Sequence, residues 1–193
     1  MKTIVPSLRL LGALALLTGL VYPLLVTAVA RVAFPRQAQG SLVRRDGKPI
    51  GSELLAQNFT NAIYFWPRPS GADFATLPSG ASNKGPTSSD LKKLVEERAA
   101  QWRGAHRLAV DAPVPPELLL ASGSGLDPHL SPAAARFQLD RVAEARGFDA
   151  TRKRALSALV SRLTEPAQFG FLGEPRVNVL LLNQALDALR SAP

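Results

Sequence analysis

Cysteine is absent from this 193-residue chain, so no disulfide braces it and no thiolate chemistry operates in it. Its absence suits either side of a bacterial membrane. Histidine is almost as scarce. His106 and His129 stand without paired spacing and without cysteine partners, which leaves no zinc-ligand pattern. No G-x-x-x-x-G-K-[ST] string occurs, so the standard phosphate cradle is missing. Acidic residues are absent before Asp46, although Lys2, Arg9, Arg31, Arg36, Arg44 and Arg45 all precede it. Between Arg9 and Arg31 there is no formal charge at all, and that absence is the most informative of these.

The charge-free run Leu10 to Ala30 is 21 residues long, about what a helix needs to cross roughly 30 Å of hydrocarbon. Eight of its residues are Leu. At a few tenths of a kcal/mol each they supply on the order of −4 kcal/mol toward insertion. Pro23 is tolerated in membrane helices and predicts a kink. A cleaved secretory signal is the rival reading, with Ala28-Val29-Ala30 as a small-x-small site, but a signal core is normally only about 7–15 residues long. The sequence therefore divides into a basic tail (1–9), a membrane helix (10–33) and a soluble domain (34–193).

The net charge of +8 is concentrated around the helix, where anionic headgroups attract it. Further along, Asp90, Glu96 and Glu97 stand among Lys92, Lys93 and Arg98, the mixture of a solvated face rather than of a nucleic-acid surface. Counting Lys and Arg on each side of the helix would place the domain in the cytoplasm. Long domains, however, translocate largely regardless of charge. Within the helix Gly12, Ala15 and Gly19 recur at steps of three and four on one face, a candidate docking face for another membrane helix.

Beyond the helix, Asp46-Gly47 predicts a hairpin turn between Ser41-Leu42-Val43 and Pro49-Ile50. Residues 58–86 are rich in Pro and Gly yet carry Tyr64, Phe65 and Trp66, aromatics that pin a loop onto its own core or onto a neighbour. Leu91, Leu94, Val95, Ala99 and Trp102 mark a helix over 89–103. Ser131-Pro132 opens a helix reaching about Arg146, and Asp149 caps another to about Leu163. Arg176 to Leu181 reads as a strand or buried segment, followed by a helix over 183–190. These elements predict an α+β domain, a small β-sheet covered by helices, behind one N-terminal transmembrane helix.

For chemistry, Ser122-Gly123-Ser124-Gly125 can turn backbone N–H groups toward an anion, but it lacks the lysine of a phosphate loop. Ser122 or Ser124 with Asp127 and His129 could be drawn as a hydrolytic triad, yet all lie in one loop without a nucleophile elbow. Read by chemistry alone, this is a membrane-anchored domain without a recognisable active site.

Several strings occur in a fixed order. They are Gly40-Ser41-Leu42, Gln57-Asn58-Phe59, Tyr64-Phe65 with Arg68-Pro69-Ser70, and Ser79-Gly80-Ala81-Ser82-Asn83. Ala121 to His129, Arg141-Val142-Ala143 and Gly173 to Leu180 with Leu182-Asn183 continue the series. Together they resemble the KdpC family, the C subunit of the Kdp potassium-transporting P-type ATPase, over nearly the whole chain. The resemblance implies a non-catalytic accessory subunit that assembles the high-affinity potassium uptake complex. The resemblance further implies a "catalytic chaperone" role, raising the ATP affinity of the B subunit. It implies A, B and F subunits as partners, membrane lipid around the helix and no nucleic acid. No firmly bound cofactor or metal is implied, ATP belonging to the B subunit. It also implies the bacterial inner membrane, with the soluble domain on the periplasmic face. Tyr64, Phe65 and Trp66, or the Gly/Ser loop with Ser124 and Asp127, are the candidate partner contacts. A generic anchored envelope-binding domain and an anchored serine hydrolase are the rival functions.

Overall fold

The computed structural model describes residues 3–190, and the chain divides into two compact units, one ending at Ile50 and the other starting at Gly51.

In the first unit, α1 (Ile4–Leu16) passes through a π-helical turn (Leu17–Val21) into α2 (Tyr22–Ala33). The continuous run Ile4–Ala33 is 30 residues, long and apolar enough to cross a membrane once. No residue of α1 or α2 is buried by the chain's own fold. Just before Pro23, where the sequence predicts a kink, the helix carries a π-turn. Proline has no N–H to give the carbonyl four residues back, and widening the turn lets the Tyr22 N–H bond Leu17 O instead. Thr18 Oγ1 also bonds Leu14 O at 2.8 Å. After α3 (Pro35–Ala38), β1 (Leu42–Arg45) and β2 (Lys48–Ser52) form the expected hairpin. Asp46 and Gly47 both have positive φ (51° and 75°), the pairing a tight hairpin turn requires.

In the second unit, residues 53–88 contain no helix or strand. Then α4 (Ser89–His106) starts where the Ser88 hydroxyl accepts from Leu91 N, and buries Ala99 and Trp102. It runs three residues past the expected end and stops at Arg107, whose φ of 51° breaks the helix. A three-stranded antiparallel sheet orders β3 (His129–Leu130), β5 (Arg176–Asn178) and β4 (Thr164–Glu165), with β5 central. Register sets Leu130 and Thr164 on either side of Val177.

Two expectations are corrected here. The helix expected from Ser131 to Arg146 is two helices, α5 (Pro132–Phe137) and α6 (Leu139–Ala145), broken at Gln138. The last helix, α8 (Val179–Arg190), begins four residues earlier than the periodicity suggests. Asn178 Oδ1 accepts from Leu181 N and so satisfies an N-terminal amide at the point where strand becomes helix. The Asp149 cap of α7 (Ala150–Arg162) forms as expected, accepting from Arg152 N at 2.7 Å.

Sheet and helices enclose one core in which Phe65, Leu118, Leu130, Leu156, Val177, Leu182 and Leu186 are almost wholly buried. Each such side chain contributes about 1.5–3 kcal/mol by leaving water. Phe65 is the notable member, because it comes from the irregular stretch rather than from a helix or strand.

Candidate functional site

An irregular chain can enter a core only if its backbone polar groups find partners. For residues 61–66 those partners are side chains from α6, α8 and the residues at their ends. Asn183 Oδ1 accepts from Phe65 N at 2.8 Å while its Nδ2 donates to Phe65 O at 3.0 Å. Gln138 repeats the pattern on the next residue, accepting from Trp66 N at 2.8 Å and donating to Trp66 O at 3.0 Å. Two amide side chains thus each satisfy both backbone polar groups of one residue, as a neighbouring strand would.

Two arginines complete the clamp. Arg141 donates to Ala62 O at 2.6 Å, to Tyr64 O at 3.0 Å and to Gln138 Oε1 at 2.7 Å, with its guanidinium 4.1 Å from the Trp66 ring centroid. It is 5% exposed and meets no carboxylate among the described residues. Burial lowers its pKa to about 10, so it remains charged at neutral pH. Carbonyl dipoles and the indole face compensate the charge. Arg146 donates to Ile63 O at 2.7 Å and to Asp187 Oδ1 at 2.8 Å, and the Tyr64 hydroxyl donates to Asp187 Oδ2 at 3.1 Å. Gln138 stands at the junction of α5 and α6, its N–H bonding Ala135 O and its C=O accepting from Val142 N, while its side chain holds Trp66.

The Gly/Ser loop is tied to the same stretch further on. Arg68 Nη1 pairs with Asp127 Oδ2 at 2.9 Å, and His129 N donates to Asp127 Oδ1 at 3.0 Å. Burial pushes the Asp127 carboxyl up, but hydrogen bonds from His129 and the Arg68 charge outweigh it and hold the pKa below the ordinary value. Ser70 Oγ donates to Gly125 O at 2.7 Å and accepts from Ala72 N and Phe74 N. Gly125 has φ +70°, and a Cβ there would stand 2.7 Å from Gly80 O. Strings separate in sequence, 68–70, 79–83 and 121–129, thus meet in one place.

A cleft of about 160 Å³ opens beside this junction, with Phe59, Trp66, Phe74 and Trp102 as walls and Arg68 and Arg98 on its lining. Both tryptophans of the chain face it. Trp102 Nε1 donates to Leu118 O at 3.0 Å, and His106 stacks 4.6 Å from Phe137. His106 Nδ1 bonds Trp102 O at 3.0 Å, which makes Nδ1 the protonated nitrogen of the neutral ring. Burial lowers the pKa of His106.

Phe65 lies in the core, and Tyr64 and Trp66 pack against it. Phe65 is sealed from solvent, so it offers no surface to a partner, while Tyr64 and Trp66 are half-buried. Asp127 is half-buried and ion-paired. Ser124 is exposed, its hydroxyl accepting from Leu126 N at 3.1 Å, and Ser122 is buried. Gly12, Ala15 and Gly19 are exposed on the apolar helix, with nothing within 4 Å of a Cβ built at either glycine. Of the clamp residues, Arg141 and Asn183 stand in the ordered strings of the sequence, without any sign there of what they hold.

A domain of this α+β kind, following one long apolar helix, defines a class: an α+β domain behind a single candidate membrane helix. The particular family follows from comparison with known proteins. The family described as "KdpC: K+-transporting ATPase, c chain" matches residues 4–188. A potassium-transporting ATPase KdpC subunit of Rhodospirillum rubrum is 52% identical over 189 residues, 97% of this chain and 96% of the relative. That of Methylococcus capsulatus is 50% identical over 192 residues (96% and 97%), and that of Sorangium cellulosum 52% over 188 (96% and 97%). The chain belongs to the KdpC family.

Proposed function

We propose that the chain is the accessory, non-catalytic subunit of an ATP-driven potassium uptake complex, assembling it and raising the ATP affinity of its B subunit. The observation that carries this reading is end-to-end similarity to relatives named as the KdpC subunit, at about half identity over 96–97% of the chain. A, B and F subunits are the partners. The helix Ile4–Ala33 sits in the bacterial inner membrane, its Gly12, Ala15 and Gly19 face against a neighbour's helix. The soluble domain lies on the periplasmic side over the channel-like A subunit. A domain there cannot reach a cytoplasmic nucleotide, so its effect on ATP affinity is a coupling free energy carried through the membrane helices. The net charge of +8 argues against concentrating potassium ions by its field, which favours a capping and stabilising role.

The test compares complexes purified with and without this chain for subunit retention, potassium transport and the ATP concentration giving half-maximal hydrolysis. The reading expects loss of assembly or a weaker apparent ATP affinity without it. An intact complex with unchanged ATP dependence and transport would overturn it. Deleting residues 60–85 is a poor substitute, because that removes Phe65 from the core. Sidedness is tested in this cysteine-free chain with Ser89→Cys, an exposed position, and a membrane-impermeant thiol reagent on intact cells. Labelling before lysis fits the periplasmic domain. Labelling only after lysis would move it to the cytoplasm and make direct contact with the ATP-binding subunit the leading mechanism.

A further inference from the structure

We propose that the cleft between α4 and the irregular stretch is a binding site for a side-chain-sized carboxylate carried on a flat or apolar body. Its size sets the first limit. At about 160 Å³ it falls below the roughly 300–1,000 Å³ of pockets for drug-sized ligands, so it admits a side-chain-sized group and excludes a nucleotide. Its charge sets the second. Arg68 and Arg98 line it, and no acidic residue is among the lining residues. The Arg68 charge is answered by Asp127, outside the cleft. Arg98 is half-buried, its Nη1 donates to Leu119 O at 2.7 Å, and no carboxylate lies within ion-pair distance of it among the described residues. Burial lowers its pKa and the nearby Glu97 charge opposes this only in part, so the guanidinium is partly stripped of water with no carboxylate bonded to it.

The Arg98 guanidinium and the Gln101 amide therefore offer donors, and Arg98 is the one cleft arginine without a paired carboxylate among the described residues. That balance suits a monoanion rather than a doubly charged phosphate. The Phe59, Trp66 and Trp102 rings give the apolar body a surface to lie on. Such a carboxylate can come from a free organic acid or from an acidic side chain of another polypeptide.

The reporter is built in, because both tryptophans of the chain line the cleft. The full chain in detergent is titrated with benzoate, with its neutral isostere benzamide and with inorganic phosphate, following tryptophan fluorescence. The expected result is a saturable change with benzoate that is absent with benzamide and at least tenfold weaker with phosphate. Arg98→Gln should weaken benzoate binding at least tenfold. Arg98→Lys, which keeps the charge, should retain most of it, and Lys92→Gln, on the exposed face of the same helix, should leave it unchanged. No saturable change in the unaltered chain, an equal response to benzamide, tighter binding of phosphate, or undiminished binding in a folded Arg98→Gln variant would overturn the proposal. Repeating the titration on the assembled complex separates the sources. Blocked binding identifies a neighbouring subunit's acidic side chain as the occupant, whereas unchanged binding identifies a free carboxylate. The measurement on the chain alone stands whether or not the transport role holds.

Discussion

Asn183 on α8 and Phe65 in the irregular stretch are 118 positions apart, yet the Asn183 amide pairs with both backbone polar groups of Phe65, at 2.8 and 3.0 Å. The phenylalanine ring enters the core only because this amide satisfies the peptide that carries it. Asn183→Leu leaves a buried N–H and a buried C=O unmet, at about 1–3 kcal/mol each. We expect a fall in melting temperature of roughly 4–24 °C for a domain of this size. Asn183→Asp should be at least as damaging, since a carboxylate oxygen would then face Phe65 O. Thermal unfolding of the full chain in detergent checks both, and a near-neutral Asn183→Leu would show that the pair does not hold the segment.

Gly125 supplies a sharper contrast, because two glycines of one short loop should respond oppositely. At Gly125 φ is +70° and a Cβ would meet Gly80 O at 2.7 Å, while at Gly123 nothing lies within 4 Å. Gly125→Ala should cost about 2–3 kcal/mol through backbone strain and a displaced neighbouring loop, and Gly123→Ala less than about 0.5 kcal/mol. Limited proteolysis within residues 70–86 should accelerate in the first variant only. Equal cleavage of both would break the link between the two loops.

Much of this architecture was legible in the sequence, for local reasons. The Asp46-Gly47 turn, the Ser131 and Asp149 caps and the charge-free helix all follow from chemistry within a few residues. Ser131 also engages the Glu117 carboxylate, a contact that no local pattern announces. The break at Gln138 and the early start of α8 escaped periodicity because their causes are distant. Gln138 is held by Trp66, 72 positions away, and the Asn178 side chain, besides serving Leu181 N, donates to Glu53 O, 125 positions away. The aromatic triplet was visible as a loop that needs an anchor. Which side chains anchor it was not, since amides and arginines on helix surfaces look alike until the fold brings the loop to them.

Arg141 tests whether the clamp needs a guanidinium or merely a positive charge. Its planar fork reaches Ala62 O and Tyr64 O together and lies over Trp66. A lysine is a point charge that cannot span two carbonyls and stack on the ring at once. Arg141→Lys should therefore destabilise the chain by about 2–3 kcal/mol in chemical denaturation, although the charge is kept. Gln138→Ala in the same chain should show strong non-additivity with Arg141→Lys, because Arg141 also donates to Gln138 Oε1 at 2.7 Å. Additive losses would mean that the two act on separate parts of the segment.

His106 gives the domain a pH dependence whose direction can be worked out. Burial among Trp102 and Phe137 lowers its pKa below the ordinary 6.5, outweighing the favourable bond to Trp102 O and the pull of Asp140, while nearby Arg141 adds to the lowering. Its Nε2 is buried without a partner, so a proton added there would meet no acceptor. As pH falls through about 6.5 the unfolded chain takes up the proton first, and stability drops. The lowered pKa of Asp127 acts in a separate window, its stabilisation being lost only as pH falls below about 3.8. His106→Phe preserves a flat ring against Phe137 but cannot titrate. Between about pH 7.5 and about pH 5.5 the unaltered chain should lose melting temperature relative to this variant, and the gap should move steadily in the variant's favour as the pH falls. A gap that stays constant across that range would mean the ring takes its proton as readily folded as unfolded, and burial would not be what sets its charge.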